Sequence, residues 1–293
     1  MLMLLMTGGL GNQMFQYALY RSLTNLGKTV YMDDFTHYTE IGRNDNCLED
    51  IFHIKYLHGN RKIYNSLTDS SMMPWMRIKR KIFGRKPFIY QEKNPLIFEK
   101  EVFEQDNKYL SGYWQSYEYF ADIENQIRLD FTFDCNKFSE KAREYMKQIE
   151  ESMSVSLHVR RGDYLSAKFS NVYGGICTES YYEAAKDYCR NKYGKVTFFL
   201  FTNDSEWGMQ QNDTDVVYVD CKNEDADYID MALMSKCKHH IIANSSFSWW
   251  GAWLDDRKDK TVIAPSRWLN IASGNSVYES LCNVLIDEKG NIL

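Results

Sequence analysis

The chain has 293 residues, 44% of them hydrophobic and 26% charged, with 4 prolines: a globular composition, long enough for two domains. A net charge of −5 excludes nucleic-acid binding by bulk electrostatics. The 7 cysteines are odd in number and scattered, without a C-x-x-C pair, which fits a reducing cytoplasm and argues against a disulfide scaffold.

The apolar stretch 1–6 is too short for a signal or a membrane span. Residues 2–6 read as a strand, 7–12 as a glycine turn, and 13–26 as a helix with Met14, Tyr17, Ala18 and Leu26 for an inner face. Gly27 ends that helix and 29–32 form a second strand, so the chain opens on a β–loop–α–β unit. From 33 to 108 the pattern is weak, giving short helices, loops and an aromatic insertion. Residues 109–116 predict a strand and 139–152 a helix. Strands at 154–159, 196–201, 216–219, 240–243 and 261–264 then alternate with helices near 179–191, 205–211, 225–236 and 246–254. That alternation predicts a doubly wound parallel sheet. The expected class is α/β, with two Rossmann-like domains facing a cleft, one over 1–150 and one over 151–293.

One charge run interrupts the weak region. Residues 75–86 carry six cations, Arg77, Lys79, Arg80, Lys81, Arg85 and Lys86, among apolar groups. The stretch suits an anionic membrane surface, or else a solvated helix face. The first reading places the protein at the inner face of the cytoplasmic membrane.

The densest chemistry is His158-Val159-Arg160-Arg161-Gly162-Asp163, at the end of the strand over 154–159. Paired guanidiniums at the carboxyl end of a strand suit a diphosphate, because each planar fork can bind two phosphate oxygens. Asp163 can orient an arginine or act as a base, and both roles stay open. A surface loop is the plain alternative. Earlier, Gly8, Gly9, Gly11 and Asn12 open a helix and let backbone approach an anion. They do not complete G-x-G-x-x-G, since Met14 stands where the third glycine would fall. Asp33 and Asp34 follow the second strand, where a dinucleotide enzyme holds ribose and where a carboxylate can equally cap a helix. At 201–205, with Asn203 beside it, Asp204 can accept from a guanine N1–H and amino group, or serve as an N-cap. At 243–253, Ser245 and Ser246 offer hydroxyls and N–H groups to a phosphate at a strand-to-helix switch. Trp249, Trp250 and Trp253 beside them read as core.

Metal signals are poor. His239 and His240 alternate across a strand and cannot chelate together. Asp213 and Asp215 have D-x-D spacing but precede their strand, at the wrong sheet edge, and Asp225 and Asp227 charge a helix start. There is no G-x-S-x-G and no P-loop.

Taken together, the segments 8–18, 112–116, 158–164, 201–204 and 244–253 resemble the α-1,2-fucosyltransferase family, glycosyltransferase family 11. The likeness runs in order from Gly8 to about residue 268; the basic stretch 75–86 and the tail from Leu269 stand outside it. The resemblance implies a GT-B fold, GDP-β-L-fucose as donor, inversion at the anomeric carbon, and no metal or other cofactor. It implies Arg160 on the diphosphate, His158 and Asp204 on the guanosine, and Ser245, Ser246 and Phe247 near the β-phosphate. Gly9, Gly11, Asn12 and Asn203 complete the donor set, and Asp33, Trp114 and Gln115 are the acceptor candidates. The acceptor would be a galactose-terminated glycan, free or lipid-linked. Two other classes stay open: an NAD-type oxidoreductase, which would bind NAD in place of GDP, and a non-catalytic carbohydrate-binding protein, which would have no use for a diphosphate site.

Overall fold

The computed structural model describes residues 1–36, 48–68, 73–84, 88–161, 170–221 and 228–293. The chain divides into two compact units, Met1–Thr132 and Phe133–Leu293.

In the first unit β1 (Leu2–Leu5) leads into α1 (Leu10–Asn25) and β2 (Val30–Asp33). Then come α2 (Leu48–Phe52), α3 (Arg61–Thr68), α4 (Pro74–Phe83), β3 (Ile89–Gln91), β4 (Lys108–Ser111) and α5 (Glu124–Asp130). The sheet is parallel in the order β2-β1-β4-β3. β1 lies between two parallel neighbours, and this burial explains its unbroken Leu-Met-Leu-Leu run. β4 is shorter than the stretch 109–116 suggests. It stops at Ser111 because Trp114 takes a left-handed φ of 57° and swings the chain off the sheet. The three-residue β3 carries no alternation that the sequence could reveal.

The second unit runs α6 (Glu140–Glu151), β5 (Ser154–Val159), α7 (Ser170–Tyr173), α8 (Glu179–Tyr193), β6 (Thr197–Thr202), α9 (Ser205–Met209) and β7 (Val216–Tyr218). It continues with α10 (Tyr228–Lys236), β8 (His239–Ile241), α11 (Ser246–Leu254), β9 (Val262–Pro265) and β10 (Val284–Ile286). The helix α6 belongs here, so the division falls ahead of it rather than near residue 150. The parallel sheet has the order β10-β9-β8-β5-β6-β7. Counted along the chain, this is the doubly wound 3-2-1-4-5-6 order, whose direction reverses between β5 and β8. β5 is buried along its whole length. Val155, Leu157 and Val159 pack against Tyr181, Ala185 and Cys189 of α8. Across the sheet, Phe199 and Phe201 pack with Ala142 and Ile149 of α6 and with Ile229 and Leu233 of α10. The tail contributes β10 beside β9. The α/β class and the pair of Rossmann-like units, the GT-B composition, are what the chain forms.

Candidate functional site

In an open parallel sheet, ligands bind beyond the strand ends where the order reverses. Here those ends are Val159 of β5 and Ile241 of β8. His158 is 4% exposed, and burial, followed by the charge of Arg160, pushes its imidazole down to about 3. It is therefore neutral at working pH. Tyr182 Oη donates to the His158 carbonyl at 3.1 Å and fixes the end of the strand. The Nδ1 of the ring is nonetheless buried without a hydrogen-bond partner among the described residues. The ring centroid lies 5.8 Å from that of Phe247, in the first turn of α11. Ser245 is the N-cap of α11, in extended conformation, and its side chain makes no capping bond. A neutral, unpartnered imidazole nitrogen thus sits beside a helix start that carries partial positive charge.

This corner is rigid. Asn244 Nδ2 donates to the Trp268 carbonyl at 3.2 Å, and Cys177 Sγ donates to Asn244 Oδ1 at 3.4 Å. The rings of Trp249, Trp250 and Trp253 lie 5.1 to 6.2 Å apart and are buried, so they are core. A Cβ on Gly251 would fall 2.9 Å from Met234 Cβ, so only glycine lets α10 and α11 approach this closely.

The two arginines part company. Arg161 is held by the fold: its Nε lies 3.2 Å from Asp204 Oδ2, its guanidinium 4.8 Å over Trp207, and its backbone N donates to Asn203 Oδ1 at 2.9 Å. Asp204 is the N-cap of α9, its Oδ1 accepting from Trp207 N at 3.0 Å. The capping role that residue type allowed is present in the structure. Arg160 is half-buried, and its charge adds to burial in depressing the imidazole of His158. Asp163 lies outside the described residues.

In the first unit the glycine turn and the segment after β4 meet. Gln115 Nε2 donates to Asn12 Oδ1 at 2.8 Å, and Gln16 Nε2 donates to the Gly112 carbonyl at 3.2 Å. Gln16 Oε1 accepts from Thr7 N at 2.9 Å, and Gln13 Nε2 donates to the Gly8 carbonyl at 3.1 Å. Gly8 has φ +80°, which this turn requires. Gly9 is exposed, Gly11 is buried in the first turn of α1, and Asn12 is half-buried. Two acceptor candidates are corrected. Trp114 is 0% exposed, with its ring stacked on Tyr90 and edge-on to Tyr119, so it offers no surface to a sugar. Asp33 is also 0% exposed, its Oδ1 accepting from Thr36 N and its Oδ2 from Tyr109 Oη, at 3.0 and 2.7 Å. That use of the carboxylate removes the ribose-binding reading as well.

Sequence reasoning passed over three polar clusters. Ser156 Oγ, His240 and Asp255 form a buried chain with spacings of 2.9 and 3.0 Å. Glu92 is buried, and its carboxylate accepts from Tyr113 N and Trp114 N at 2.7 and 3.0 Å. Burial pushes it up to about 7, against the pull of those two bonds. His58 bridges Asp34 at 2.7 Å and Glu49 at 3.4 Å. None of the three follows a spacing rule, because each joins residues from separate elements. His239 stacks on Tyr193 while His240 turns to Ser156, so the pair faces opposite ways. Asp213 and Asp215 are engaged by Lys186 and Arg190 at the start of β7. Asp225 and Asp227 lie outside the described residues.

Comparison with known proteins adds the chemistry. The family model for glycosyl transferase family 11 matches residues 89–275. An alpha-1,2-colitosyltransferase of Escherichia coli is 31% identical over 92% of this chain and 93% of its own length. The O-antigen biosynthesis glycosyltransferase WbnK of the same species is 31% identical over 90% and 93%. The rat galactoside alpha-(1,2)-fucosyltransferase 1 is 26% identical over 84% of this chain, which spans 61% of that protein.

Proposed function

The chain belongs to glycosyl transferase family 11, and from that premise we propose that it moves L-fucose from GDP-β-L-fucose to the 2-hydroxyl of a β-galactoside, with inversion. The observation that carries the donor reading is the unpartnered Nδ1 of His158 beside the start of α11. A polar atom left unsatisfied in the apo fold costs about 1–3 kcal/mol, and a bound ligand group removes that cost.

In this reading Arg160, the α11 start and Ser245 to Phe247 take the diphosphate, and His158, Asn203 and Asp204 take the guanosine. The acceptor oxygen attacks the anomeric carbon opposite the nucleotide. The bond from that carbon to the β-phosphate oxygen breaks, and GDP leaves with the electron pair. Arg160 and the helix dipole stabilise the charge that grows on the phosphates, the role a metal ion takes elsewhere. The hydroxyl proton passes to Asp163 if that residue is the base, and to water if it orients an arginine. Of the acceptor candidates Gln115 remains, held by Asn12.

A second donor follows from one observation: the E. coli relative transfers colitose, by its name. The test is an acceptor array with GDP-fucose and GDP-colitose side by side, with product linkage read by NMR. An α-1,2-linked fucoside is expected; any other linkage, or transfer from neither donor, overturns the proposal. Calorimetry on His158→Phe checks the carrier, since GDP affinity should fall while the melting temperature holds or rises. Unchanged GDP affinity would free His158 from the donor site.

A further inference from the structure

We infer that α4 is an interfacial helix that lays the protein on an anionic bilayer. In α4, Trp75, Ile78 and Ile82 fall at spacings of three and four and share one face. They are 63%, 61% and 66% exposed. Met76 and Arg80, four residues apart, are the half-buried positions. The helix therefore turns its large apolar side chains outward, the reverse of a helix that completes a core. Arg77, Lys79 and Lys81 are exposed around that stripe, and no acidic residue occurs from Met73 to Gly84. In a chain of net charge −5 this is a local inversion of sign.

An apolar stripe flanked by cations is the composition of a helix lying in the headgroup plane, with its apolar face toward the acyl chains. Trp75 suits the boundary between water and hydrocarbon. At ten residues α4 is about 15 Å long and cannot cross a bilayer. No helix among the described residues is long and apolar enough to do so. Of the surfaces that cations could meet, a bilayer alone also takes three bulky apolar side chains without a shaped pocket. The inference is independent of which sugar the enzyme transfers.

The test is co-sedimentation of the full chain with vesicles of phosphatidylcholine alone and of phosphatidylcholine with phosphatidylglycerol. Binding should need the anionic lipid and weaken with salt. Lys79→Gln with Lys81→Gln should weaken it about 25-fold, at about fivefold per cation. Ile78→Ser with Ile82→Ser keeps every charge and should also weaken it, which separates insertion from mere adsorption. Because these side chains are exposed, melting temperature and turnover on a soluble acceptor should not change, so failure here leaves the catalytic reading standing. Equal binding to both vesicle types overturns the inference, as does binding to neither. So does an apolar double variant that binds like wild type, or capture by polyglutamate without capture by anionic vesicles, which would point to an acidic protein partner.

Discussion

Arg160 and Arg161 are neighbours in sequence to which the proposal gives different duties, and substituting each in turn, with turnover and melting both measured, tests that division. Arg161→Ala removes the contact to Asp204 at 3.2 Å and the guanidinium over Trp207 at 4.8 Å. Both ion-pair side chains are about one-third exposed, at 36% and 31%, so solvent screens the pair. Such a pair is worth about 0.2–1 kcal/mol, and an exposed cation–π contact about 0.5–1 kcal/mol. The expected loss is about 1 kcal/mol, a fall of roughly 2–4 °C in melting temperature. Arg160→Ala is judged on turnover in a variant that still melts cooperatively. The Arg160 charge acts on the buried His158 imidazole, and Arg160 is the arginine the proposal assigns to the diphosphate. Loss of a donor that stabilises developing charge costs about 3–4 kcal/mol, or roughly 10²- to 10³-fold in turnover. Arg160→Lys keeps the charge but not the fork, and should fall between. The assay is steady-state kinetics with GDP-fucose on all three variants, with thermal melts alongside. A folded Arg160→Ala within a few-fold of wild type, beside an inactive Arg161→Ala, would refute the assignment. Full activity in both would remove the diphosphate from this motif altogether.

Asp204→Asn keeps an N-cap on α9 but loses the charge, so GDP affinity should fall with little change in melting; unchanged affinity by calorimetry would leave Asp204 as a cap alone. Activity should survive EDTA, because Arg160 and the start of α11 can carry the leaving-group charge while Asp213 and Asp215 are engaged by Lys186 and Arg190; loss restored by Mn²⁺ would sink this. Glu92 is raised from 4.5 to about 7 by burial, so its protonated form favours the folded state. Its contribution is present in full below about pH 4.5 and is lost as pH rises through about 7, on the order of 3 kcal/mol in all. Urea melts at pH 5 and pH 8 should show that slope in wild type and lose it in Glu92→Gln; an identical slope in both would clear Glu92.

The second unit was legible because its elements are long and strongly patterned. α11 runs over the stretch 246–254 that its sequence predicts, and β5 over 154–159, since a six-residue buried strand between two parallel neighbours leaves no other reading. The strand-end residues His158 and Phe247 come together because the sheet order puts β5 next to β8, which spacing alone cannot supply. Acceptor candidates fared worse. Trp114 stood among the acceptor candidates, yet it has a left-handed backbone and lies wholly in the core. Asp33 looked like a ligand-binding carboxylate, but Tyr109, 76 residues away, claims it. Glu92 left no trace, because its partners are backbone N–H groups that any sequence would provide.

One face of β5 shows why the His158 nitrogen means something. Ser156 and His158 point the same way along the strand, two residues apart. At the first, the fold meets a buried polar group fully: Ser156 reaches His240, and His240 reaches Asp255. Burial keeps that imidazole low too, yet both of its ring nitrogens have partners. The chain is therefore able to satisfy a buried histidine on this very surface. Two residues on, at the strand end, it leaves Nδ1 unmet. Filling the position with phenylalanine would remove a penalty of about 1–3 kcal/mol, at no cost in β propensity. His158 Nδ1 is one of several buried polar atoms left unmet among the described residues, but it is the one at the strand end where the order reverses, beside a helix start whose N-cap serine makes no capping bond, and there the proposed donor is the group that would meet it.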